Sequence, residues 1–413
     1  MKQITLGFLT LAMLLGGCGA SRKAVVGEGR GVHTYDTYRG LVMAGYQGWF
    51  AAEGDDSHRG FYHYKGHDGF RPGSASVDMW PDMSEYKQTY VTPFRMPDGS
   101  EARVFSSYDS TTVATHFRWM REYGLDGVFM QRFVSEIKTT SGARHFNHVL
   151  DNAMRSAIDN GRAICVMYDL SGMHPGDQDF ILSDIDSLAI RHKIFNREAN
   201  PSYLWHNGRP MVSVWGVGFS DKRAYSLDDC IQIIDGLRSR GYSVMIGVPT
   251  FWRDLDNDTE ADSRLHDLIK RCDVVMPWFV ARFGPENYDK FEGLVPADLE
   301  WCRKAGVDYA PLVFPGFSWK NMYGADTRAI PRQEGRFIRR QIDNAISSGA
   351  EMLYVAMFDE IDEGTAIFKC ASEVPVDSCG TKFVKADGAG SDHYLKIVGE
   401  AASRMKHNKR KGH

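Results

Sequence analysis

The stretch YVAMFDEIDEGTAIF, Tyr354 to Phe368, places four carboxylates directly behind an apolar run: Asp359, Glu360, Asp362 and Glu363. Gly364 and Thr365 follow at once. Glycoside hydrolysis needs two carboxyl groups flanking one bond, with separations on the order of 5–9 Å. Glu360 and Glu363 are three positions apart. If the chain turns helically there, both project to one side with Cβ atoms roughly 5–6 Å apart. Like charges so close push their pKa values apart, giving one acid and one base. Solvated turns and helix N-termini also collect acids. The position behind a fully apolar run argues for chemistry, and makes Glu360 and Glu363 the candidate catalytic pair.

Such a pair must be held by a frame. Eight short apolar runs recur along the chain: GLVMAGY from Gly40, DGVFMQRF from Asp126, AICVMYDL from Ala163, PMVSVWG from Pro210, SVMIGVP from Ser243, DVVMPWF from Asp273, YAPLVFP from Tyr309 and MLYVAMF from Met352. Each suits a strand buried on both faces of a parallel sheet. Amphipathic segments such as HFNHVLDNAMRSAIDNG and EGRFIRRQIDNAISSGA lie between them, several closing on the Gly of a helix C-cap. Eight strand–helix repeats predict an α/β fold, a (β/α)8 TIM barrel. The oversized connection from Trp49 to Ser107 is expected to fold over the catalytic face.

In such a barrel, chemistry sits at the C-terminal ends of the strands. The first run ends in Tyr46 and Trp49, the second in Gln131 and Arg132, the third in Tyr168 and Asp169. The fifth ends in Trp252 and Arg253, the sixth in Trp278, and the eighth in Asp359. Aromatic faces pack against sugar C–H faces, while carboxylates, Gln and Arg bond hydroxyls. These ten residues form the candidate substrate-binding set. A single aromatic beside a strand is more often core than platform; recurrence at one end of many strands is what points to a glycan. Asp169 with an acid across the rim is a further reading, an inverting pair, set against a role in orienting a hydroxyl or pairing an Arg.

The chain has 413 residues with formal net charge −4 and no basic stripe, which speaks against nucleic acid as partner. Residues 1–18 read as a signal peptide, and LGGC resembles the bacterial lipoprotein cleavage box, with Cys18 the lipidated residue. A tether over 19–33, a single barrel over 34–405 and a basic, solvated tail over 406–413 complete the expected organisation. An exported lipoprotein follows, held to a membrane by its lipid at the outer membrane, cell surface or periplasmic side, and a monomer is expected. Cys370 and Cys379 are the disulfide candidates in a compartment that allows one, and the other four cysteines are expected as buried thiols. No Cys/His cluster suggests a metal, and Asp254–Asp262 lacks the Gly and Glu of a calcium loop. No cofactor is implied. His33, His58, His63 and His67 fit no metal spacing, although His63 could reach the cleft.

FDEIDEGTAI resembles the Phe-Asn-Glu-Trp-His-Glu-Gly-Thr-Gln-Ile signature of glycoside hydrolase family 99 and of the wider family 71/99-like group of bacterial lipoproteins. RFIRRQIDNAISSGAEMLYVAMF resembles the helix and strand that lead into it, and AGYQGWF resembles the end of the family's first strand. The resemblance implies a (β/α)8 retaining endo-α-mannosidase or mannanase without a metal. Glu360 would then be the base on a substrate 2-hydroxyl that attacks the anomeric carbon, forming an anhydro sugar, and Glu363 the general acid/base. Asp359, Ile361 and Asp362 depart from the signature's Asn, Trp and His, which bears on mannose specificity. Two alternatives stand beside it: a xylosidase/arabinosidase-type hydrolase, and a glycan-binding lipoprotein that keeps the scaffold without the chemistry.

Overall fold

A computed structural model describes residues 34–324, 327–387 and 390–411. Cys18 and the stretches read as signal and tether lie outside them. The apolar runs become strands: β1 Val42–Tyr46, β2 Gly127–Phe133, β3 Ala163–Asp169, β4 Arg209–Trp215, β5 Ser243–Val248 and β6 Val274–Pro277. The run from Tyr309 is broken into β7, Asp308–Tyr309, and β8, Leu312–Val313; β9 is Leu353–Val355. The sheet order is β7-β6-β5-β4-β3-β2-β1-β9-β8, each neighbouring pair parallel. Only Ala310 and Pro311 separate β7 from β8. Because β7 pairs with β6 while β8 pairs with β9, the two edges meet and the barrel closes. Pro311 has no N–H to give a ladder, so the seventh strand breaks there.

The helices between the strands are α1 Ser110–Tyr123, α2 Thr140–Asn160, α3 Gln178–His192, α4 Leu227–Ser239, α5 Arg264–Arg271, α6 Leu294–Ala305 and α7 Arg336–Ser347. Gly124, Gly161 and Gly306 end α1, α2 and α6 in the left-handed conformation, the glycine cap the sequence predicts. Ser226 and Asp229 form a reciprocal capping box at the start of α4. α8, His393–Lys411, follows β9, so the basic stretch read as a tail begins inside a helix. Its Lys406 pairs with Asp126, whose other oxygen accepts the Val42 N–H at 2.9 Å, fastening the helix beneath β1 and β2.

The long connection after β1 carries a hairpin, Tyr90–Arg95 against Glu101–Val104. It folds back across the strand ends as expected. The N–H groups of Asp78 and Met79 reach the Ile361 carbonyl at 3.0 and 3.1 Å. Cys165, Cys230, Cys272 and Cys302 are buried thiols. The expected Cys370–Cys379 disulfide is absent, and both thiols are free. Cys370 is buried with its backbone bridged to Pro81, whereas Cys379 is exposed in a turn whose amide binds Asp377 at 2.6 Å. Closeness in sequence does not set the direction of the Cβ vectors.

Candidate active site

The turn after β9 is fixed by its backbone. The Thr365 and Ala366 N–H groups bond the Glu360 carbonyl at 3.2 and 3.0 Å, and Ser318 N–H bonds the Glu363 carbonyl at 2.8 Å. From below, the buried Arg332 guanidinium donates to the Gly364 and Ala366 carbonyls at 2.9 and 2.8 Å. The turn is irregular rather than helical, yet it keeps the acids at the strand ends.

Asp359 does not face a ligand. It is fully buried, and its two oxygens accept the Gln47 and Gly48 N–H groups at 2.8 and 2.9 Å. Burial pushes its carboxyl up to about 7. It clamps the end of β1 to the acidic turn. Glu360 is also buried: Gln47 Nε2 donates to Oε1, and Thr365 Oγ1 donates to Oε2 at 2.6 Å. Burial first, then the charges of Glu363 and Asp362, raise its pKa. Glu363 is partly exposed. Burial, then the charges of Asp362 and Asp169, push it up to about 8, while Trp319 favours its charged form. At neutral pH it therefore carries a proton to give. Asp169, on β3, is partly exposed and accepts the Ser171 N–H at 2.7 Å. Burial raises its pKa, and the Arg223 charge opposes the rise.

Side-chain alternation along each strand sorts the remaining candidates. Gln131 points inward: its amide donates to the Tyr354 hydroxyl at 3.3 Å, and its own Oε1 has no protein partner. Arg132, one residue on, points outward into a fork with Asp184 of α3 at 2.8 and 2.6 Å. Tyr168 also points outward, donating to the same Asp184 at 2.6 Å, while its neighbour Asp169 stays at the cleft. Tyr46 faces α1, bonded to His116 at 2.8 Å. Arg132, Tyr168 and Tyr46 are thus framework residues rather than glycan contacts.

Trp252 is fully buried against Trp301, ring centroids 4.8 Å apart, and Arg253 is spent on Asp298 of α6 at 3.1 Å. Neither belongs to the site. Trp49 is near it but covered: His63 lies flat on it at 3.8 Å and Phe133 stacks at 4.9 Å, leaving 8% exposed. Trp278 remains partly exposed and packs edge-on against Trp215 at 5.1 Å. Trp215 and Trp319, also partly exposed, join it around the cleft. Gln47, Trp215 and Trp319 lie at the ends of the first, fourth and seventh apolar runs, and His63 is in reach of the cleft, yet these four and Thr365 are not among the ten candidate binding residues. Period-two counting back from the strand ends would have found Trp215, two beyond Ser213; His63 and Thr365 carry no such signal.

Several buried polar atoms in this region have no protein partner: Gln47 Oε1, Gln131 Oε1, Trp49 Nε1, Trp215 Nε1, Ser318 Oγ and Asp362 Oδ1. Each of these atoms is shut off from solvent, so they belong to the packed wall behind the cleft rather than to its open surface.

No protein-family model matches the sequence, and no curated protein matches it. Solved structures do match. The GH99 endo-alpha-mannosidase from Bacteroides thetaiotaomicron superposes with a TM-score of 0.63 at 13% identity, over 91% of this chain and 100% of that one. The fold is GH99-like. The same enzyme in complex with bis-tris-propane gives a TM-score of 0.62 at 13% identity and the same coverage, 91% and 100%. A glycoside hydrolase-like protein gives 0.51 at 13% identity, over 78% of this chain and 94% of that one. The likeness is one of fold; the chemistry follows from the residues at the strand ends.

Proposed function

We propose that the chain is a glycoside hydrolase acting on poly- or oligosaccharides, with Glu360 and Glu363 as its catalytic pair and an endo-α-mannosidase-like mode. The observation that carries this is the difference between the two acids. Glu360 has both oxygens held by Gln47 and Thr365, hydrogen bonds that favour its charged, basic form against the opposing pull of burial and of the Glu363 and Asp362 charges. Glu363 is partly exposed and holds its proton to about pH 8, the posture of an acid facing a leaving group. The partly exposed Trp215–Trp278 wall suits a sugar. Cys18, read from the sequence, would place the enzyme on a membrane by its lipid as an exported lipoprotein.

The test is incubation with α-mannan, xylan, arabinan and α-glucan, products separated by chromatography, beside a Glu363→Gln control. Products from the parent alone support the hydrolase and name its sugar. Glycan binding with no product would instead favour the binding-protein alternative.

A further inference from the structure

His63 has a different environment from the two fully paired buried histidines, His116 and His206. His116 is fully buried with both nitrogens paired, Nδ1 to Tyr46 at 2.8 Å and Nε2 to Tyr86 at 2.7 Å. His206 is likewise buried, with Nδ1 near Thr37 at 3.2 Å and Nε2 on Asp308 at 2.8 Å. Both are satisfied structural residues. His63 has only one nitrogen engaged: Nδ1 lies 3.1 Å from Asp362 Oδ2, and Nε2 makes no hydrogen bond among the described residues. Its side chain is 26% exposed, whereas that of Asp362 is 1% exposed.

The ring is also held in place. One face lies parallel to Trp49 at 3° and 3.8 Å. The backbone is in the left-handed region, φ 62°, and the His63 carbonyl accepts Ser76 Oγ at 2.5 Å. Arg59, Lys65 and Glu136 are the charged groups around it. Burial pushes the imidazole down to about 3, so the ring is neutral at neutral pH. A neutral imidazole has one donor and one acceptor. Whichever nitrogen carries the proton, Nδ1 is engaged by Asp362 and Nε2 is the open edge of the ring. Asp362, the partner of Nδ1, is close enough to Glu360 and Glu363 for its charge to bear on both.

We propose, on the basis of the hydrolase reading above, that His63 is a ligand-contacting residue: anchored on Asp362 and Trp49, it hydrogen-bonds through Nε2 to a hydroxyl of the sugar seated over Glu360 and Glu363. Asp362 is then a positioning residue that fixes the ring from behind. The long connection after β1 thus supplies part of the binding surface itself.

Two measurements test this on the full chain. Diethyl pyrocarbonate should acylate His63 in the free protein, read by peptide mass, and far less when the cleaved glycan is present. His63→Asn, a residue that tolerates left-handed backbone, should keep the melting temperature and raise KM about tenfold with kcat within about twofold. Unchanged KM on a glycan the parent cleaves, or a His63 ring that resists acylation in the free protein, would overturn the contact while leaving the hydrolase standing. A chain that neither binds nor cleaves α-mannan, xylan, arabinan or α-glucan would overturn the hydrolase reading, and this contact with it.

Discussion

Gln47 and Glu360 lie 313 positions apart in the chain, yet the Gln47 amide donates directly to Glu360 Oε1. The ends of β1 and β9 are neighbours in the sheet, and this bond joins them at the acidic turn. Thr365 holds the other oxygen at 2.6 Å. Hydrogen bonds to a charged group contribute about 1.5–3 kcal/mol. Thr365→Val, close in shape but without the donor, should lower kcat by about 10- to 100-fold. Gln47→Leu should act likewise, and the double variant should lose less than the product of the two, because both hold one carboxylate. Steady-state kinetics of the three variants check this.

The tryptophans separate by burial. Trp252→Ala should cost about 3–5 kcal/mol in stability by urea unfolding, with KM unchanged in the folded fraction. Trp278→Ala, at the partly exposed wall, should melt close to the parent and raise KM about fivefold.

Stability should depend on pH in a definite direction. Asp298 and Asp359 are pushed up to about 7 and Glu363 to about 8, each first by burial. In the unfolded chain these groups titrate near 4. The folded state therefore keeps protons that the unfolded state has released, and these groups lower stability as pH rises from about 4 until the fall ends at about 7 to 8. Below the unfolded histidine value of about 6.5, buried histidines act oppositely. His63 and His116 are held down to about 3 and His145 and His192 to about 4, so acid favours unfolding there. Between about pH 6.5 and 8 the carboxyls act alone. The urea midpoint should drop across that window, and less steeply in Glu363→Gln.

Much of the frame was legible in the sequence because barrel strands buried on both faces leave long apolar runs, and glycine caps mark the helix ends. Even the break in the seventh strand has its cause in Pro311. The site was half legible. Glu360 and Glu363 stand out because charge follows directly on a buried strand. The errors came from treating every residue at a strand end as inward-facing. Gln131 and Arg132, or Tyr168 and Asp169, are adjacent, so one of each pair must face the helices. Trp252 and Arg253 follow a strand but turn into the helix layer, where Asp298 takes the guanidinium. Thr365 and Gln47 could not be read as holders of Glu360, since their meeting depends on strand order rather than on local pattern. His63 reaches Asp362 across 299 positions through a long irregular loop, which no periodicity predicts.

The family resemblance carries a stereochemical prediction. Hydrolysis through Glu360 and Glu363 should release the sugar with its anomeric configuration retained, read by proton NMR in the first minutes of reaction. An inverted product would move the chemistry to a pair that includes Asp169, whose charge also reaches Glu363.

The most direct test of the central claim is kcat/KM for Glu363→Gln on whichever glycan the parent cleaves. Loss of the proton donor should lower it by about 10²–10⁴-fold, with the far-ultraviolet spectrum and melting temperature of a folded protein. A folded Glu363→Gln variant that turns over within about twofold of the parent would contradict the assignment.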